Sequence, residues 1–332
     1  MTRILSRRRV IRIAGLIAGA AVLVPAWKAM RPQRLVRWEG QVLGALASLE
    51  LYHEDEDAAR ALITDCLGEI RRLTEVFSLY RPDSAISRLN RDRRLTSPPP
   101  ELVTVLSESL RYSELSGGAF DVTVQPLWDL YAEHFARPEA DPEGPPEAAV
   151  AAARDRVDYR QVSCSAKQVS LGRPGMAVTF NGIAQGYITD CVMDALKRRG
   201  VERVLAQLDA YRAVGTHPDG RPWHVGIADP RAPEQSLGVI DLTDRAMATS
   251  GGYGTCFDSA GRFHHLFDPA TGRPAFSWAG TNVVAASAMK ADGLSTAIAV
   301  APRERAAEIL RKGGGETAYL VDFDNVVTTI QA

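Results

Sequence analysis

Apolar residues repeat along this chain with two different periods. From Val42 to Tyr52 they alternate roughly every second residue, the pattern of a half-buried strand. Just beyond, Ala58, Leu62, Cys66, Ile70, Leu73 and Phe77 recur at helical spacing and predict an amphipathic helix over about 57–76. Ser97-Pro98-Pro99-Pro100 stops regular structure, and a helix is predicted from Glu101 to Leu115. Residues 136–147 carry four prolines and several acids, which predicts an exposed connection. A further helix runs from Ala184 to Arg199 and ends at Gly200. Val201 to Leu208, Trp223 to Ile227, Gly238 to Leu242 and Asn282 to Ala286 read as strands. Helices over about 291–300 and 303–312 follow, then strands Thr317 to Asp322 and Val326 to Ile330. Strands and helices mix without regular βαβ alternation. That predicts an α+β fold with largely antiparallel sheets, built as one compact unit over 40–332.

The N-terminus departs from this pattern. Residues 1–26 hold five arginines and no acid, so the remainder of the chain counts 34 basic against 40 acidic residues. Ser6-Arg7-Arg8-Arg9-Val10-Ile11-Arg12 is a charged segment, and Ile13 to Val24 is an apolar stretch too short to span a bilayer comfortably. Together they resemble a twin-arginine signal with cleavage after Ala26, followed by a linker over 27–39. Such a signal implies the twin-arginine export machinery and a periplasmic protein. The alternative is an uncleaved membrane anchor. The formal net charge of −1 gives no general basic surface for nucleic acid. Cys66, Cys164, Cys191 and Cys256 have no zinc-ligand spacing and are read as free, buried thiols.

Four short segments could carry chemistry. Asp292 and Thr296 stand four apart on a predicted helix, so both side chains share a face. A carboxylate and a hydroxyl are hard oxygen ligands suited to Mg²⁺ beside phosphate. The plainer reading is an N-cap Asp and an ordinary Thr. His264-His265 precede a tight turn, Asp268-Pro269-Ala270-Thr271-Gly272. A histidine there could move a proton, or the pair could simply be one buried and one exposed strand residue. Asn181-Gly182-Ile183-Ala184-Gln185-Gly186-Tyr187 brings glycines into a helix start, where a phosphate could approach backbone N–H groups. Ser116-Gly117-Gly118-Ala119-Phe120-Asp121 could line a flat-ring pocket, or could cap a helix and enter a strand.

Taken in order, these segments resemble the ApbE family of FAD:protein FMN transferases. The likeness rests on Phe77 to Ser84 with Ile86 to Asn90, Gly118 to Thr123, Gly182-Ile183-Ala184, Thr249-Ser250-Gly251, His265 to Pro274, and Asp292 with Thr296. The form Phe180 to Tyr187 and the signal are most similar to the NosX branch, linked to nitrous oxide reductase maturation. The resemblance implies transfer of FMN from FAD to a Thr or Ser of an acceptor flavoprotein, of the membrane-bound NosR type, with release of AMP. It implies that Asp292, Thr296 and the Gly182 carbonyl bind Mg²⁺. It places Leu43, Tyr80, Ala119, Phe120, Asp121, Thr179, Gln185 and Leu266 around the flavin nucleotide. Tyr80 and Phe120 would supply ring faces, Asp121 would accept a hydrogen bond, and His265 would take the proton. The chain departs from the family pattern at Thr179, Gln185 and Leu208-Asp209-Ala210. Two other readings stay open: a non-catalytic FAD-binding accessory protein, and a pyrophosphatase giving FMN and AMP.

Overall fold

The computed structural model describes residues 33–42 and 45–332. The signal segment 1–26 and the flavin candidate Leu43 lie outside the described residues. The core is an eight-stranded sheet in the order Arg34–Val42, Ala45–His53, Val204–Leu208, Ala210–Val214, Ala246–Ser250, Gly280–Ala285, Thr317–Val321, Val327–Gln331. Every neighbouring pair is antiparallel, as expected of an α+β fold. Residues 34–39, expected as linker, are instead the outer part of the first strand. That strand is an edge whose solvent side carries charge, with Arg37 paired to Glu50 across the ladder at 2.6 Å. Only Val36 and Val42 along it are buried.

Alternation decides which residues face which layer. Val204, Ala206 and Leu208 point into a core shared with the helices, while Leu205 faces the other side. The second face is covered by the hairpin Trp223–Asp229/Ala232–Leu242. Its Trp223, Val225 and Ile227 pack on Ala213, Met247 and Val284. The helix Glu56–Phe77 starts at Asp55, whose carboxylate accepts from the backbone N–H groups of Asp57 and Ala58. Its buried stripe runs through Ala59, Ile63, Cys66, Ile70 and Leu73, one position off the Ala58–Leu62 phase that the sequence suggested at its start.

The helix Ala288–Val300 is different. It is buried around most of its circumference, between the sheet and the other helices. Polar residues on such a helix need internal partners, and Asp292, Ser295 and Thr296 all lie on it. The Ser116–Asp121 segment caps the helix Pro100–Leu115 but leads into the helix Gln125–Phe135, not into a strand. All four cysteines are free; Cys66 alone is buried and Cys256 is exposed, so the expectation of buried thiols holds only in part.

Candidate functional site

The site begins where two helix N-termini cross. The helix Ala184–Arg198 meets the start of the helix Ala288–Val300 so closely that a Cβ on Gly186 would lie 2.4 Å from the Ala288 carbonyl oxygen. Only glycine fits, and its N–H donates to Asp292 Oδ2 at 3.0 Å. One turn on, Asp190 accepts from the Ala288 and Met289 N–H groups at 2.8 and 3.0 Å, capping the neighbouring helix from outside. Arg212 pairs with Asp190 and offsets its charge.

Asp292 is therefore not the N-cap of its helix; Ser287 is. It sits a turn inside and is 7% exposed. Burial, then the charge of Asp209, pushes its carboxyl up to about 8, against the pull of the Gly186 N–H. A buried carboxylate this short of compensation is a place where a cation lowers the energy. The neighbouring donors suit one. Thr296 Oγ1 lies 3.5 Å from the Gly182 carbonyl oxygen and 3.1 Å from Ser250 Oγ. A Cβ on Gly182 would come within 2.8 Å of Thr296 Oγ1, so a side chain there would fill the gap. Among the described residues no three His, Cys, Asp or Glu side chains form a metal cage. The donor set is instead one carboxylate, one hydroxyl and one carbonyl. That fits Mg²⁺, which commonly uses few protein ligands and completes its shell with water and substrate phosphate.

Ser250 links this crevice to the histidines. It ends the strand Ala246–Ser250, and Gly252, two residues on, lies against the His264 ring. His265 is held by Thr255, whose carbonyl oxygen is 3.2 Å from Nδ1. A carbonyl only accepts, so Nδ1 carries the proton and Nε2 is left as a base. Burial lowers the His265 pKa while the Thr255 bond opposes it. His264 is 4% exposed, and burial with its charged-form repulsion from His265 pulls it down to about 4. The Leu266 N–H donates to His264 Nδ1 at 3.3 Å, consistent with a neutral ring. Asp268 takes no part in orienting His265: its carboxylate accepts from Ala270 N–H and the Thr271 hydroxyl within its own turn.

The expected flavin-side residues divide. Leu266 packs with Ala299 and Val300, and Ala119 packs against that cluster, so these two reach the helix Ala288–Val300. Thr179 N–H donates to the Val122 carbonyl at 2.8 Å, and Gln185 lies in the first turn after Gly182. Tyr80, 82% exposed, presents an open ring three residues after Phe77, which packs on Phe180 and Tyr187. Phe120 does not present a ring face. It is 5% exposed and packs on Tyr112 in the core, because the glycine turn before it points it inward. Asp121 is committed to its own loop: Oδ1 accepts from Thr123 N–H and Oγ1, and Oδ2 from Tyr159 N–H. A cavity of about 650 Å³ opens beside Gly118, Asp121, Tyr159 and Arg173, but neither the Asp292 crevice nor His265 lines it.

With this geometry in place, comparison with known proteins is decisive. The family model described as ApbE family matches residues 43–321. The chain belongs to the ApbE family. A relative from Vibrio cholerae named FAD:protein FMN transferase is 32% identical over 301 residues, spanning 87% of this chain and 88% of its own length. A second relative of that name, from Haemophilus influenzae, is 28% identical and spans 96% of this chain and 95% of its own. Among solved structures, the flavin transferase ApbE from Vibrio cholerae superposes with a TM-score of 0.76 at 27% identity, covering 91% of this chain and 98% of that one. The apo flavinyl transferase ApbE of Pseudomonas stutzeri gives 0.73 at 27% identity, covering 90% and 96%.

Within this ApbE fold, sequence reasoning missed three residues of the crevice. Asp190 reaches it from an element far away in the chain, and no local pattern signals it; Ser250 stands in the Thr249-Ser250-Gly251 segment of the resemblance, which gave it no role in the site. Asp209 is among the departures from the family pattern, which gave it no role in the site. It stands at the turn between two paired strands with φ +77°, a conformation that disfavours a side chain. Its charge acts on Asp292, Tyr211 and Tyr253.

Proposed function

We propose that this chain is a Mg²⁺-dependent FAD:protein FMN transferase of the periplasm, acting on a Thr or Ser of a NosR-type membrane flavoprotein. The activity itself is that of its ApbE relatives. The observation that carries the mechanism is the pairing of an under-compensated buried Asp292, with Thr296 and Gly182 oxygens beside it, and a His265 whose Nε2 is kept unprotonated. Both features favour a catalyst over a passive FAD binder.

Asp292, Thr296 and the Gly182 carbonyl would hold the metal, which when bound neutralises charge developing on the phosphates. His265 Nε2 accepts the proton of the acceptor hydroxyl as that oxygen bonds to the phosphorus bearing riboflavin. The phosphoanhydride bond breaks, and AMP leaves with the bridging oxygen. The Thr255 carbonyl keeps His265 in the required tautomer throughout. Tyr80 offers its ring to the flavin, and Ala119 and Leu266 form the apolar wall beside the catalytic helix.

Location and acceptor rest on sequence. Ser6 to Ala26 supports export by the twin-arginine route, and the form of residues 180–187 supports the NosX branch and hence a role in nitrous oxide reductase maturation. The test is an incubation of mature protein with FAD, Mg²⁺ and the acceptor domain of a NosR-type protein. An FMN-sized mass gain on the acceptor, with matching AMP and abolished by EDTA, is expected. Bound FAD with no AMP would overturn the transferase reading, and free FMN with unlabelled acceptor would mark a hydrolase.

A further inference from the structure

A second, smaller cavity of about 230 Å³ adjoins His264. His264 forms part of its wall, with Tyr253, Phe276, Trp278, Phe323 and Asn325. Two features set it apart from ordinary surface. First, two of its lining residues carry buried polar atoms with no hydrogen-bond partner: the Trp278 Nε1–H, a donor, and Asn325 Oδ1, an acceptor. Each is costly to leave unmet in a folded protein. Asn325 is fixed in place because its Nδ2 donates to Asp229 Oδ1 at 2.9 Å. Second, the rim exposes two large rings, Phe276 and Phe323, 6.3 Å apart between centroids. Exposed apolar surface beside unmet polar groups marks a binding site.

We infer that this cavity docks an extended segment of the acceptor protein flanking its target hydroxyl. The inference rests on the transferase reading above. A peptide unit has one C=O and one N–H, the complement of the unmet donor and acceptor. The cavity is too small for a folded surface but takes a short run of backbone with one apolar side chain against the two phenylalanines. His264, in its wall, is the chain neighbour of His265, so a segment seated there runs close to the proposed base. Charge complementarity adds a preference. Arg303 lies over the Trp278 ring, 4.5 Å from its centre; its Nε donates to the Ser277 carbonyl oxygen and its charge acts on Asp322, so it borders the cavity as a partly compensated cation that an acidic side chain on the docked segment would approach.

The experiment measures steady-state transfer to the NosR-type acceptor domain by wild type, Trp278→Phe and Phe323→Ser, alongside FAD affinity by fluorescence. Trp278→Phe keeps the ring and removes only the N–H. The inference expects acceptor KM to rise about tenfold in each variant, the worth of one buried hydrogen bond or apolar contact, with kcat and FAD affinity near wild type. Weakened FAD binding with unchanged acceptor KM would assign the cavity to the dinucleotide and overturn the inference. So would variants with wild-type KM for both. Absence of transfer by wild type itself would instead bring down the transferase reading, and this inference with it.

Discussion

Asp292 and His265 are both titratable groups drawn out of water, and burial acts on them in opposite chemical senses. For His265, burial favours the neutral ring, which is the form that accepts a proton. The environment and the task agree, and one carbonyl from Thr255 suffices to set the tautomer. For Asp292, burial and the nearby Asp209 and Asp190 favour the protonated acid, whereas the metal-ligand role proposed for it needs the charged form. Environment and proposed task would then disagree until a cation arrives. On that proposal the histidine half of the site is complete in the chain alone, while the carboxylate half would be completed by the cation.

The largest effect that would break this contrast is at Asp292. Asp292→Ala should lower AMP release from FAD about a thousandfold, the scale of the several kcal/mol that metal stabilisation of a phosphoryl group supplies. Asp292→Asn should lose activity similarly yet keep about wild-type thermal stability without metal, because the amide is close in shape and charge to the protonated acid that burial favours there. Wild type should gain stability on adding Mg²⁺ and the Asn variant should not. Metal-dependent release near the wild-type rate in either variant would show that the metal is held elsewhere.

His265→Ala comes next. Transfer should fall about 10²- to 10⁴-fold, the usual worth of general base catalysis, while FAD stays bound. Because burial sets the His265 pKa below its ordinary 6.5, the wild-type rate should be flat through neutral pH. It should decline only as acid protonates Nε2. A rate that instead rises steeply between pH 7 and 8 would point to a different base.

His264 sharpens the comparison from the side of stability. Its folded pKa, about 4, lies below the unfolded value of 6.5, so the unfolded chain binds the extra proton between those limits. Stability is then fully present above pH 6.5 and falls as pH drops towards 4, by up to about 3 kcal/mol. His264→Leu should shrink the difference in urea midpoint between pH 7 and pH 4.5. An unchanged difference would mean that the ring takes up its proton in place.

How much of this could be read in advance follows the range of the interactions. The 3.6-residue stripe of Glu56–Phe77 and the four-residue spacing of Asp292 and Thr296 are local, and both were legible. The turn after His265 was legible from Asp268, Thr271 and Gly272 for the same reason. Gly182 and Gly186 were visible as glycines, but their close approach to Thr296 and Ala288 depends on how two helices cross. Residues 34–39 read as linker although they belong to the strand Arg34–Val42, because an edge strand carries charge on its open side. The family resemblance implies that Phe120 and Asp121 meet the flavin, while the residues alone allow either a ring pocket or a helix cap. Whether such a ring turns inward is settled by Tyr112, which no spacing reveals.

Tyr80 is the smallest and most discriminating test of that last point. Phe120 and Tyr80 were equivalent on paper, and the fold separates them: one ring is spent on the core and the other stands open. Phe120→Ala should therefore act on stability, costing about 3 kcal/mol or more through the cavity it leaves. Tyr80→Ala should leave the urea midpoint within error, since almost nothing packs on its ring. It should raise KM for FAD only about fivefold, in keeping with about 1 kcal/mol for one aromatic stacking contact. If Tyr80→Ala changes neither quantity, the open ring does not meet the flavin, and the stacking face must come from a residue other than these two.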